Sequence, residues 1–94
     1  MSFSDMVVGK NGLLVELRCH NSFSEKIYTD ITNYLNKQLP QWKSTGFIPV
    51  ADAVSIFNLI EELSGGSQFW SEEVALRVED ALFEIQEIMS SLEE

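Results

Sequence analysis

The sequence predicts an α+β fold, with an N-terminal β-hairpin or short strand pair packed on three helices, the last of them long and acidic. Three observations predict it. An alternating apolar run, Leu13 to Cys19, follows an Asn-Gly turn signal. Three later segments carry apolar residues at helical spacing. Punctuation at Pro40 and at Ser64-Gly65-Gly66-Ser67 separates those segments. An all-helical bundle is the alternative if Leu13 to His20 is helical.

Taken in order, Met6-Val7-Val8 reads as the first strand and Gly9-Lys10-Asn11-Gly12 as the turn, since Asn and Gly both tolerate positive φ. In the second strand Leu13, Val15, Leu17 and Cys19 form the inward face, and only Leu14 breaks the polar side. A two-stranded hairpin is marginal alone, so it must pack on the helices or gain strands from another chain. Ser22-Phe23-Ser24-Glu25 has capping-box spacing with Ser22 as N-cap. Phe23, Ile27, Ile31, Tyr34, Leu35 and Leu39 then follow on one helical face, and Pro40 is expected to stop the helix at Gln38 or Leu39. Gln41 to Phe47 reads as a connector containing Trp42.

The second helix is expected from Pro49 to Leu63. Its apolar set of Val50, Ala53, Val54, Ile56, Phe57, Leu59, Ile60 and Leu63 is broad enough to predict the most buried element of the fold. The last helix opens after Ser71, an N-cap followed by Glu72 and Glu73, and runs to about Leu92. Val74, Val78, Ala81, Leu82, Ile85, Ile88 or Met89, and Leu92 make its core stripe, while Leu76 and Phe83 lie off it.

A chain of 94 residues corresponds to one domain, 1–94. Its 45% hydrophobic content, with two Trp, six Phe and two Tyr, supplies a core and argues against disorder. No apolar run reaches the roughly 18–20 residues of a membrane span. Met1 to Val8 lacks the basic start and long apolar stretch of a secretory signal, and the single Cys19 cannot form an intramolecular disulfide. A cytoplasmic location is the expectation.

Charge is the most informative bulk property. The net charge is −9, and its distribution is uneven: Met1 to Val50 holds five basic and four acidic residues, whereas Ala51 to Glu94 holds Arg77 alone against eleven acidic ones. Such a surface repels nucleic-acid phosphates and anionic lipid headgroups, and attracts a basic protein.

Little in the sequence suggests chemistry. Cys19 and His20 are adjacent, and neighbours in a strand point to opposite faces, so the expectation is a buried Cys19 and a surface His20. One Cys and one His do not make a metal site, and no calcium-binding loop of the EF-hand kind occurs. Gly65-Gly66 precedes a helix but lacks the Lys-Ser/Thr of a phosphate-binding loop. The carboxylate pairs Glu61-Glu62, Glu72-Glu73, Glu79-Asp80 and Glu93-Glu94 read more simply as solvated helix surface than as an acid–base dyad. The expectation is a protein without enzymatic activity, cofactor or metal.

What the last helix offers is a binding face. Glu73, Asp80, Glu84 and Glu87 form an acidic stripe with Arg77 as the only basic residue among them, and Leu76 and Phe83 add apolar anchors beside it. Trp70, like Trp42, Phe47 and Phe69, sits in or beside a connector, where an aromatic either plugs the end of a small core or anchors a partner. Bacterial immunity proteins are commonly small, acidic, single-domain and free of catalytic residues, and the chain is similar to that type in size and charge. The expected function is therefore inhibition, with an acidic helix face masking the substrate groove of a basic toxin such as a nuclease. The alternative is an acidic chaperone or adaptor, or a self-associating subunit of a larger assembly in which Leu76 and Phe83 meet a like chain or pack on the hairpin.

Overall fold

The computed structural model describes residues 2–65 and 70–93. Among these residues the secondary structure is helical throughout: α1 (Phe3–Val8), α2 (Leu13–His20), α3 (Glu25–Thr45), α4 (Val50–Gly65) and α5 (Glu72–Ser90), closed by a 3₁₀ turn at Ser91–Glu93. The N-terminal hairpin, and with it the α+β class, is overturned. Both expected strands are helices, and the all-helical alternative describes the chain.

The reasons are local. Ser2 caps α1 through a capping box, its hydroxyl accepting from the Asp5 N–H at 3.1 Å while the Asp5 carboxylate accepts from the Ser2 N–H at 3.4 Å. The four-residue spacing of Phe3 and Val7 then buries one helical face. In α2 the buried residues are Leu13, Leu14 and Leu17, a helical i, i+1, i+4 set, so Leu14 belongs to the core face. Val15 is only partly covered and Cys19 is exposed, contrary to the strand reading. Gly9 and Gly12 make the tight link between the two helices. A Cβ on either would lie 2.5 and 2.7 Å, respectively, from the Asp5 carbonyl oxygen, so the backbone packs there against backbone. Neither α1 nor α2 is long enough to be stable alone, and α1 is held by packing against α2, α3 and α4.

Helix α3 begins two residues later than the capping-box reading placed it. Ser24 is the N-cap, accepting from the Ile27 N–H at 3.3 Å, and Phe23 before it packs on Tyr28 with ring centroids 5.2 Å apart, a hydrophobic staple. The helix also runs through Pro40 to Thr45, ending at Gly46 in the left-handed conformation (φ 77°). Its buried set, Tyr28, Ile31, Leu35 and Trp42, continues the stripe past the proline. Burying an indole of on the order of 200 Å² at about 25 cal/mol per Å² is worth about 5 kcal/mol, more than the ~3 kcal/mol a helical proline costs. Pro40 lies on the solvent side, where water can satisfy the freed Asn36 carbonyl. Trp42 is thus a buried helix residue and not part of a connector.

The core gathers these stripes around Leu59 and Leu63 of α4 and Val78, Ala81 and Ile85 of α5. Helix α4 departs most from expectation. Ile56, Leu59 and Leu63 are buried, but Val50, Ala53, Val54 and Phe57 are exposed, so α4 is only half buried. No helix among the described residues is long and apolar enough to cross a membrane.

Candidate functional surface on the last helix

Helix α5 is positioned by its start. The Ser71 hydroxyl accepts from the Val74 N–H at 3.3 Å, and the Ser71 N–H in turn donates to Oδ1 of Asn21 at 3.3 Å. Asn21 ends α2 in the left-handed conformation (φ 49°), which asparagine tolerates. The end of α2 therefore fixes where α5 begins. Val78, Ala81 and Ile85 turn the inner face of α5 to the core.

A second anchor fixes its rotation. Arg77 sits over the adjoining rings of Phe23 and Tyr28, its guanidinium carbon 4.9 Å from each centroid. From there its Nε donates to Glu25 Oε2 at 2.7 Å, Nη2 donates to Glu25 Oε1 at 3.0 Å, and Nη1 reaches Glu84 at 3.5 Å. This bidentate fork pulls Glu25 below its usual carboxylate range, the Arg77 hydrogen bonds outweighing the small cost of burial. The same contacts push Arg77 further up. The Tyr28 hydroxyl donates to Glu84 at 2.5 Å, and burial, reinforced by that bond, raises the phenol well above its ordinary value. On the other side of α3, Tyr34 donates to Asp52 at 2.7 Å and is pushed up to about 12, first by burial and then by that carboxylate.

The predicted site residues divide accordingly. Leu76 and Phe83 point outward, 58% and 64% exposed, two helical turns or roughly 10.5 Å apart along the axis. Glu73, Asp80 and Glu87 are exposed beside them at alternating spacings of three and four, so these five share one outer face. Glu84 does not join that stripe as a free charge, because it turns toward α3 and is engaged by Tyr28 and Arg77. Trp70 is partly buried against the core just ahead of the helix. Leu76 and Phe83 have no hairpin to pack on. Phe69 lies outside the described residues.

Two residues complete the face that the stripe alone did not identify. Glu72 and Glu79 are exposed on the opposite flank of Leu76 and Phe83. The signal was present in the pairs Glu72-Glu73 and Glu79-Asp80: they are seven residues apart, so each pair straddles the apolar stripe. None of Glu72, Glu73, Glu79, Asp80 and Glu87 forms an ion pair among the described residues. On the Glu72–Glu79 side a shallow apolar groove runs between α5 and the end of α4, floored by Leu63, Val78 and Leu82.

His20 is exposed, as is Cys19. Among the described residues no group of three or more Cys, His, Asp or Glu side chains converges as a metal site. Comparison of the chain with protein families, curated proteins and solved structures finds no match.

Proposed function

We propose that the protein acts by binding a basic protein through the outer face of α5, as an inhibitor that covers a groove otherwise open to phosphate-rich ligands. One observation carries this reading: Leu76 and Phe83 stand exposed in line on α5, flanked on both sides by carboxylates that form no ion pair among the described residues. An apolar stripe favours burial, and the five carboxylates select what buries it. A segment with apolar anchors bordered by Lys or Arg would satisfy both, the charges speeding association and the anchors slowing release. Arg77, the one cation on the helix, is committed to Glu25 and Glu84 and does not offset the field of the outer face. A toxin whose active groove binds nucleic acid is one partner of this chemistry.

The test uses the immobilised protein beside two variants, Glu73→Lys/Asp80→Lys/Glu87→Lys and Leu76→Ser/Phe83→Ser, with native lysate applied at low and moderate salt. Basic proteins are expected on the wild type, with loss of at least tenfold on either variant and at the higher salt, where surface charges are screened. Unchanged helical circular dichroism shows that the fold is intact. Equal capture by all three proteins overturns the reading.

A further inference from the structure

A second unpartnered face differs in kind. Phe47, Val50, Val54 and Phe57 are 77%, 79%, 52% and 64% exposed. The last three recur at spacings of four and three along one side of α4, and Phe47 stands just ahead of its first turn. Exposed Ala51 and Ala53 flank them with little bulk. From Gly46 to Ile60 the only charged residue is Asp52, whose carboxylate accepts the Tyr34 hydroxyl.

We propose that this face of α4 pairs with the same face of a second copy of the chain, antiparallel about a two-fold axis near Val54. The occupant follows from charge. Two copies carrying −9 each repel, and they can meet only where neither presents carboxylates to the other. The outer face of α5 fails that condition, while the α4 stripe from Val50 to Phe57 meets it over about two turns. The antiparallel sense follows from Glu61, exposed at the far end of the stripe. A parallel pair sets Glu61 against Glu61. In the antiparallel pair each Glu61 lies near the start of the partner's α4, where the helix dipole favours a negative charge. The symmetry also makes the surface self-complementary, with Val54 near its own copy and Phe57 against Val50 and Ala51. Two phenylalanines and two valines exposed to this degree offer on the order of 400 Å² of apolar surface. That area supplies the core of an interface of about 600–800 Å² per partner, the rim being polar. The inference is independent of the α5 reading, since it uses none of the same residues.

The experiment is light scattering and sedimentation of the full chain from low to high micromolar concentration, at low and high salt. The wild type is expected to pass from 10.7 kDa to twice that mass. Association should strengthen with salt as residual repulsion is screened, opposite to the salt response of the α5 face. Val54→Glu and, separately, Phe57→Glu should hold the chain at monomer mass throughout, with unchanged circular dichroism. The two variants are independent, so a folding failure of one leaves the other decisive. Leu76→Ser/Phe83→Ser should dimerise like the wild type. A wild type monomeric at every concentration, a dimer that survives both α4 variants, or a dimer abolished by the α5 variant overturns the proposal.

Discussion

The outer faces of α4 and α5 share one geometry and differ in their surroundings. Each presents large apolar side chains at helical spacing to water, Val50, Val54 and Phe57 on one helix and Leu76 and Phe83 on the other. Around the first the surface is nearly neutral except for Glu61 at its far end, while around the second five exposed carboxylates stand on both flanks. The hydrophobic effect treats the two stripes alike, because it is non-directional and scales with apolar area. Charge separates them. A neutral stripe on a chain of net charge −9 suits a like chain, and an acid-bordered stripe disfavours one and, on the proposed reading, takes a basic partner.

The largest expected effect comes from erasing that difference. Replacing Glu72, Glu73 and Glu79 with Gln, Asp80 with Asn and Glu87 with Gln leaves Leu76 and Phe83 in place and gives α5 a surface like that of α4. Partner capture should fall by roughly 100-fold or more, each lost rim charge contributing a fraction of a kcal/mol. The same variant should associate beyond the dimer, because each chain then carries two neutral stripes. Sedimentation reads both effects. A variant that keeps its partner and its dimer mass shows that the carboxylates are only solvation.

How far these faces were legible follows from where the local pattern was ambiguous. The α5 face was visible in the sequence because an acidic helix with a clear core stripe leaves its off-stripe residues exposed by elimination. Glu84 reads as part of the acidic stripe because it lies four residues after Asp80 and three before Glu87, and only the packing of α3 reveals that it is engaged by Tyr28. The α4 face was hidden by its composition. Nine apolar residues spread around sixteen read as wholesale burial, whereas the small core has room for only one side of the helix. At the N-terminus period two and helical spacing competed over eight residues, and Leu14 was the discriminating position. The Ser2-to-Asp5 capping box has the spacing of Ser22 to Glu25 and pointed to a helix. Pro40 gave a false stop because the stripe resumes at Trp42 and Gly46 supplies the real one.

Arg77 gives a smaller effect confined to one side of the comparison. Its fork on Glu25 and its place over the rings of Phe23 and Tyr28 tie α5 to the start of α3, and no residue of the α4 face takes part. Arg77→Met keeps much of the side-chain stem but loses the hydrogen bonds and the ring contacts. With its side chain about one-third exposed, the expected cost is about 1–2 kcal/mol in urea unfolding. Dimer mass should be unchanged at concentrations where the chain stays folded. Stability within a few tenths of a kcal/mol of the wild type would mean that apolar packing alone orients α5.

The smallest effect is a matter of pH. Arg77 lowers the pKa of Glu25 in the folded state, so the unfolded chain takes up its proton first as the solution is acidified. The stability this pair contributes is therefore fully present above the ordinary glutamate value of about 4.3 and is lost as pH falls through the lower folded value. Glu25 is 61% exposed along its side chain, so screening keeps the contribution below about 1 kcal/mol. Glu25→Gln should melt slightly below the wild type at neutral pH, and the gap between the two curves should close on acidification below that value. A gap that stays constant down to the acid limb would assign the loss to packing of the side chain. A gap that closes together with a change in dimer mass would show that the two faces are coupled through α3, and that their independence fails.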